Sequence, residues 1–359
     1  MLATIVLIIL LLISLYVILK TNINIEPEQI NETRRIPSCL LYKNLIVPGQ
    51  LDWDVEVIED FNVCTKPLDE NFTQNVDLIS DMQLLLQIKD AQSKNLPIVW
   101  VYNPYEESAK YWKDFMSRRN RQPTSSLRRL CLTTILKHFP EYNYRIVVFN
   151  QDNLVSLLGN QYKICRPLYP YLKNEYIKYV LLEMYGGYWI PIDTVMMKSV
   201  NNTLNDYNNG KLVVSGFVST QYKDIFSYDS TYIACKRGNP LIRELVILIK
   251  NLSNSFQNEI HFKDTVHKYF QEICEDNNRL VARYNIVAFL NRNDEMLSFE
   301  DLYSQNNNMP PMETLTIIPT LYDIVMKKHM WNYIERMDSM QLLEAEMWIT
   351  YAIQVSLKK

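Results

Sequence analysis

The sequence predicts an α/β fold built on an open sheet flanked by helices, and three observations carry that expectation. Short apolar runs rich in β-branched and aromatic residues alternate with segments of helical period between residues 95 and 200. The composition, 48% hydrophobic against 21% charged over 359 residues, is that of a chain that buries a large core. An amphipathic helix then passes into an apolar strand through Gly186-Gly187, two adjacent glycines in a chain that has only seven. Such a pair marks a turn with positive φ or a close backbone approach.

The elements follow in order. From Leu78 to Ala91, Ile79, Met82, Leu85, Leu86 and Ile88 recur at helical spacing, and Leu96 to Tyr102 then reads as a short buried strand. Leu127, Leu130, Cys131, Ile135 and Phe139 predict a helix that stops at Pro140, because proline cannot continue the hydrogen-bond ladder. Tyr144 to Asn150 is a strand, Asn153 to Leu158 a short helix, and the helix after Tyr171 leads through the glycine pair to a strand ending at Asp193. Alternation of this kind implies right-handed crossovers. Ligands of open sheets sit beyond the carboxyl ends of the strands, here Tyr102-Asn103, Asn150-Asp152 and Asp193. The last helix is expected from Gln341 to Ser356, with Leu343, Met347, Trp348, Tyr351, Ala352 and Val355 as an ordinary core stripe.

The amino-terminal part reads differently. From Leu2 to Leu19 no charge occurs, and at 1.5 Å per residue the run covers roughly 27 Å of bilayer, so a single transmembrane anchor is expected over residues 1–20. A cleaved signal peptide is the alternative, though the basic start and small-residue cleavage site it wants are not visible. The chain divides into this anchor, a polar stem over 21–38, an irregular and helical region over 39–94, a sheet domain over 95–250 and a mainly helical extension over 251–359. The side of the membrane that holds the body stays open: Lys20, Arg34 and Arg35 follow the span, whereas a lumenal body would require the reverse bias. Six scattered cysteines without a C-x-x-C read as buried thiols, with one or two disulfides possible for a lumenal body. A formal charge of −3 gives no broad basic field, so nucleic acid is not an expected partner.

Residues 171–200, YLKNEYIKYVLLEMYGGYWIPIDTVMMKSV, resemble the glycosyltransferases with a DXD sugar-binding region, a group that includes α-mannosyltransferases, capsular-polysaccharide transferases and toxin-like glucosyltransferases. Laid without gaps on the pattern S-D-x-x-R-Y-x-x-L-y-x-y-G-G-x-Y-x-D-x-D, Asn174-Glu175 stands at Ser-Asp, Lys178 at Arg, Tyr179 at Tyr and Gly186-Gly187 at the glycine pair. Asp193 stands at the second aspartate of D-x-D, and Pro191 at the first. Pro97 to Val101, His138-Phe139-Pro140, Asp152 and the segment from Tyr232 to Leu241 extend the likeness over about residues 95–250. Stretches from Ser108 to Arg119 and from Trp331 to Ser339 are similar to divergent members encoded by large DNA viruses.

The resemblance implies a GT-A-like open mixed sheet, a nucleotide-diphosphate sugar as donor, a glycan or glycoprotein as acceptor, retention of anomeric configuration, Mn²⁺ or Mg²⁺, and an endomembrane or viral-membrane location. The departing diphosphate must be neutralised, by a divalent cation or by lysine and arginine. Neither G-x-x-x-x-G-K-[ST] nor G-x-G-x-x-G occurs, so Asp193 is the expected metal ligand, with Asp229 as a further carboxylate near it. Asp193 otherwise caps its turn with Thr194. Glu175 and Lys178, neighbours at i and i+3, are expected at the donor sugar, or else form a solvated ion pair. Trp100, Tyr102 and Asn103 are expected at the nucleotide, with core packing the alternative for Trp100, and Gly187 is expected among the cofactor-binding residues. Triad or zinc hydrolysis finds no G-x-S-x-G and no H-E-x-x-H. The competing class is a GT-A-like binding protein without catalysis, for which Pro191 would be the mark.

Overall fold

The computed structural model describes residues 81–104, 125–165, 168, 170–218, 226–253, 259–305, 309–322 and 333–358, all of them within one compact unit. The expected anchor from Leu2 to Leu19, the stem and the stretch from Ser108 to Arg119 lie outside the described residues. Among the described residues no helix is long and apolar enough to cross a membrane.

In chain order the elements are α1 (Asp81–Ser93), β1 (Ile98–Asn103), α2 (Ser126–His138), β2 (Arg145–Asn150), α3 (Leu154–Leu158), α4 (Tyr162–Cys165), α5 (Pro170–Tyr185), β3 (Gly187–Pro191), β4 (Thr194–Met196) and α6 (Leu204–Asn208). There follow β5 (Leu212–Val218), β6 (Phe226–Cys235), α7 (Pro240–Leu252), α8 (Glu259–Asp276), β7 (Val281–Tyr284), α9 (Phe299–Tyr303), β8 (Ile317–Pro319), α10 (Tyr333–Arg336), α11 (Ser339–Glu344) and α12 (Trp348–Lys358). Six strands form a mixed sheet in the order β2-β1-β3-β6-β5-β7, and β4 pairs with β8 in a separate ribbon. β1 is parallel to β2 and β3, whereas β6 runs antiparallel to both of its neighbours. The C-terminal region also enters the sheet, since β7 pairs in parallel with β5.

The pleat of β1 explains why both faces of the sheet are covered. Ile98, Trp100 and Tyr102 point into one core, shared with α1, α5, α7 and α8, while Val99 and Val101 point into the opposite one with Leu132 and Ile135 of α2. The other side of α2, carrying Leu127, Leu130 and Cys131, is buried against a third core contributed by α9, α11 and α12. Thus α2 is sandwiched between the sheet and the C-terminal helices, and its burial on two sides follows from that position.

The final helix is corrected. Instead of one helix from Gln341 to Ser356 the chain makes α11 and α12, separated at Ala345, whose backbone is extended (φ −72, ψ 134). A capping box between Asp338 and Gln341 starts α11, and Thr350 Oγ1 bonds the Ala345 and Met347 carbonyl oxygens exposed by the break. The bend lets Leu342 and Leu343 share one core with Ile349, Ala352 and Ile353.

Candidate functional site

The glycine pair sets the site. Gly186 and Gly187 have φ of +71 and +109, and a Cβ would meet Arg237 N at 2.5 Å on the first and Ile98 O at 2.2 Å on the second. Both anticipated reasons for glycine therefore apply, positive φ and close backbone approach. Trp100 Nε1–H donates to the Gly186 carbonyl oxygen at 2.8 Å, tying the turn to β1. β3 leaves this point flush against β1, with Trp100 opposite Trp189 and Tyr102 opposite Pro191. The ladder between β3 and β6 covers only Gly187 to Trp189, so Pro191 lies at the strand end, where a missing N–H costs no ladder bond to β6.

A bulge in β6 supplies the facing wall. Val214 pairs with Ile233 but the next residue, Ser215, pairs with Asp229, which leaves Ser230, Thr231 and Tyr232 without partners on β5. Side chains satisfy the freed backbone: Thr231 N–H donates to Asp229 Oδ1 at 2.6 Å, Tyr232 N–H to Ser215 Oγ at 3.4 Å, and Ser215 Oγ–H to Asp229 O at 3.1 Å. Lys178 Nζ, from α5, donates to Ser230 O at 3.1 Å.

Between these walls lies a cleft of about 200 Å³, lined by Tyr102 and Pro104, by Asn174, Glu175 and Lys178, by Trp189, Pro191, Ile192 and Asp193 and by Ser230 and Thr231. Lys178, only 3% exposed, places its ammonium 2.7 Å from Glu175 Oε1 and 2.8 Å from Ser230 Oγ. Burial and the Glu175 carboxylate hold the neighbouring Tyr179 hydroxyl neutral, well above its ordinary pKa. Asp193 is half-buried, and its carbonyl oxygen accepts from Thr320 N–H at 3.0 Å and Thr320 Oγ–H at 2.8 Å. Tyr303 OH in turn donates to Thr320 O at 2.8 Å. The Asp193 carboxylate is felt in the third core: the Cys131 thiol is raised by burial and then by Asp193, and the Tyr303 hydroxyl by burial, Cys131 and Asp193. Its turn is closed by another residue, since Thr194 Oγ–H donates to Pro191 O at 2.7 Å.

Of the residues singled out by sequence, Tyr102, Glu175, Lys178 and Asp193 line one cleft. Gly187 is not in the lining: it begins β3, whose far end reaches the cleft, and is packed against the Ile98 backbone. Trp100 is instead in the core, fully buried against Phe149 and Tyr185, and offers a base no exposed ring face. Asn103 is buried beside Asn150 on β2 and is not part of the lining. The Asn150-Asp152 turn, with Asp152 N–H donating to Asn150 Oδ1 at 3.0 Å, is not part of the lining, and touches it only through Gln151 Nε2, which donates to Pro104 O at 2.8 Å. Asp229 braces the bulge rather than lining the cleft. Sequence reasoning missed Ser230, Thr231 and Thr320. The run Tyr228-Asp229-Ser230-Thr231-Tyr232, polar where apolar alternation should continue, was the available signal for the first two.

Among the described residues no three His, Cys, Asp or Glu side chains cluster as a metal site. Glu175 is engaged by an ammonium and Asp229 by a backbone N–H. Of the two carboxylates expected at a metal, Asp193 lines the cleft and Asp229 does not.

No family model and no curated protein matches the chain. Among solved structures, the PaToxG glycosyltransferase matches at 12% identity over 77% of this chain and 97% of that one, with a TM-score of 0.31. Mouse xyloside xylosyltransferase 1 in its apo form matches at 9% identity over 55% of this chain and 87% of that one, also with a TM-score of 0.31. At these scores the likeness is loose, and the functional reading rests on the cleft.

Proposed function

We propose that the cleft binds the sugar of a nucleotide-diphosphate donor and that the chain is a glycosyltransferase of GT-A-like type. One observation carries the reading: Glu175 and Asp193, singled out in one sequence segment, line one cleft with Tyr102, singled out in another, beyond the carboxyl ends of β1 and β3. Asn174, Glu175 and Thr231 supply amide, carboxylate and hydroxyl groups for sugar hydroxyls, and Tyr102 and Trp189 supply apolar surface. Asp193 would hold Mn²⁺ or Mg²⁺, whose role when bound is to neutralise the diphosphate. The acceptor is a glycan or glycoprotein, retention follows the resemblance, and the segment from Leu2 to Leu19 would fix the enzyme to an endomembrane or a viral membrane.

A second reading, a sugar-binding protein without transfer activity, is favoured by Pro191 at the first D-x-D position and by the engagement of Glu175 and Asp229 with protein groups. Calorimetry with UDP-glucose, UDP-N-acetylglucosamine and GDP-mannose, in Mn²⁺ and in chelator, tests the first reading. Metal-dependent binding that Asp193→Ala abolishes supports it. Binding indifferent to metal and to Asp193, without sugar hydrolysis or transfer, supports the second, and no binding at all sinks both.

A further inference from the structure

We propose that Lys178 makes no contact with the ligand and is a positioning residue: it holds the Glu175 carboxylate at the cleft and the β6 bulge in place. The inference rests on the sugar reading of the cleft for its ligand half and on geometry alone for its bulge half. An ammonium has three N–H donors. Those of Lys178 meet Glu175 Oε1 at 2.7 Å, Ser230 Oγ at 2.8 Å and Ser230 O at 3.1 Å. All three are used, so a sugar hydroxyl could be bound by Lys178 only at the loss of one of these bonds. Glu175 differs. Its Oε1 is taken, whereas Oε2 accepts from Ser230 Oγ only at the 3.5 Å limit of a hydrogen bond, with the Tyr179 hydroxyl beside the carboxylate, so this cleft-lining side chain retains acceptor capacity.

The Lys178 side chain is 4% exposed and that of Glu175 12%. The ammonium is thus the deeper member of the pair and the carboxylate the one nearer the opening. Its bond to Ser230 O satisfies a carbonyl that the bulge removes from the β5–β6 ladder. Lys178 joins two parts of the recognition wall, the Glu175 carboxylate on its own helix α5 and Ser230 of the β6 bulge. Arginine, the residue at this position in the resembling pattern, carries five donors in a rigid fork and would have protons left for a ligand. The substitution therefore moves sugar recognition onto Glu175 and the bulge.

A double-mutant cycle tests this. Affinity for whichever of UDP-glucose, UDP-N-acetylglucosamine and GDP-mannose binds the native chain with Mn²⁺ is measured for Lys178→Met, Glu175→Gln and the double variant. If Lys178 acts through Glu175 and the bulge, each single variant loses about tenfold or more, and the double variant binds no more than about twofold worse than the weaker single one. Multiplying losses, a further tenfold on adding Lys178→Met to Glu175→Gln, with exchange at the bulge unchanged, would show direct ligand contact and overturn the proposal. Amide hydrogen exchange is the second readout and needs no ligand. Lys178→Met should speed exchange at Thr231 and Tyr232 while leaving Val99 and Val101 of β1 protected; unchanged exchange at the bulge overturns its bracing role. A native chain that binds none of the three donors defeats the sugar reading and the ligand half with it, and the exchange experiment still decides the bulge half.

Discussion

Gly187 lies so close to Ile98 that a Cβ on the glycine would sit 2.2 Å from the Ile98 carbonyl oxygen. The obstacle is backbone of the neighbouring strand, which cannot swing aside as a side chain can, and the φ of +109 is strained for any L side chain. Gly187→Ala should destabilise by at least about 4 kcal/mol, in the range reserved for identifiable steric faults. Gly210 is the control, having φ +78 but nothing within 4 Å of a Cβ. Gly210→Ala should cost only about 1–2 kcal/mol, the backbone term alone. Equal losses in urea denaturation would mean that the close approach of β3 to β1 does not hold.

Asp229 is expected to be structural. Its carboxylate accepts from Thr231 N–H at 2.6 Å, within the bulge that forms one wall of the cleft. Asp229→Ala should cost about 1.5–3 kcal/mol, as for loss of a hydrogen bond to a charged group, and Asp229→Asn, which keeps an acceptor, should recover most of that. Metal dependence of nucleotide-sugar binding should survive in Asp229→Asn. Its disappearance there, with stability intact, would make Asp229 a metal ligand.

Asp206 offers a test through pH. The Tyr284 hydroxyl at 2.7 Å and the Lys211 ammonium at 2.9 Å hold its carboxyl below the usual range. Because the folded pKa is depressed, the stabilisation is fully present above the unfolded value of about 4 and is lost as pH falls through the lower folded one. The stability gap between the native chain and Asp206→Asn should therefore be widest near pH 6 and narrow toward pH 3. A constant gap across that range would place the effect outside carboxylate ionisation.

What could be read in the sequence was local. The faces of β1 and α2, the stop at Pro140 and the glycine turn each follow from spacing within one element, because burial on a sheet or helix imprints a period. The bulge was not legible: Tyr228 and Tyr232 are four apart and would share a face in a regular strand, yet they enter opposite cores. Thr320, which carries the Asp193 carbonyl, comes from 127 residues away, and its sequence neighbourhood has no period that points to Asp193. For Trp100 the alternative of core packing is the one observed, because an aromatic in a strand looks the same in sequence whether it faces a ligand or, as here, donates to Gly186 O within the core.

Pro191 yields the last prediction. It lines the cleft, pairs with Tyr102 on β1 and lies beyond the end of the β6 ladder, so a residue with an N–H can replace it without disturbing a β3–β6 bond. As the native cleft offers a cation Asp193 without a second carboxylate at this position, the cation should be held weakly until donor phosphates complete its shell. Mn²⁺ binding by the native chain should thus depend on the donor. Pro191→Asp restores the missing carboxylate of the D-x-D pattern and should give measurable Mn²⁺ binding without nucleotide, together with faster hydrolysis of the bound sugar nucleotide. Mn²⁺ titration followed by electron paramagnetic resonance reads the first effect. A folded Pro191→Asp protein with no gain in Mn²⁺ affinity would mean that residue 191 and Asp193 do not converge on one ion, and the reading without catalysis would then be the better one.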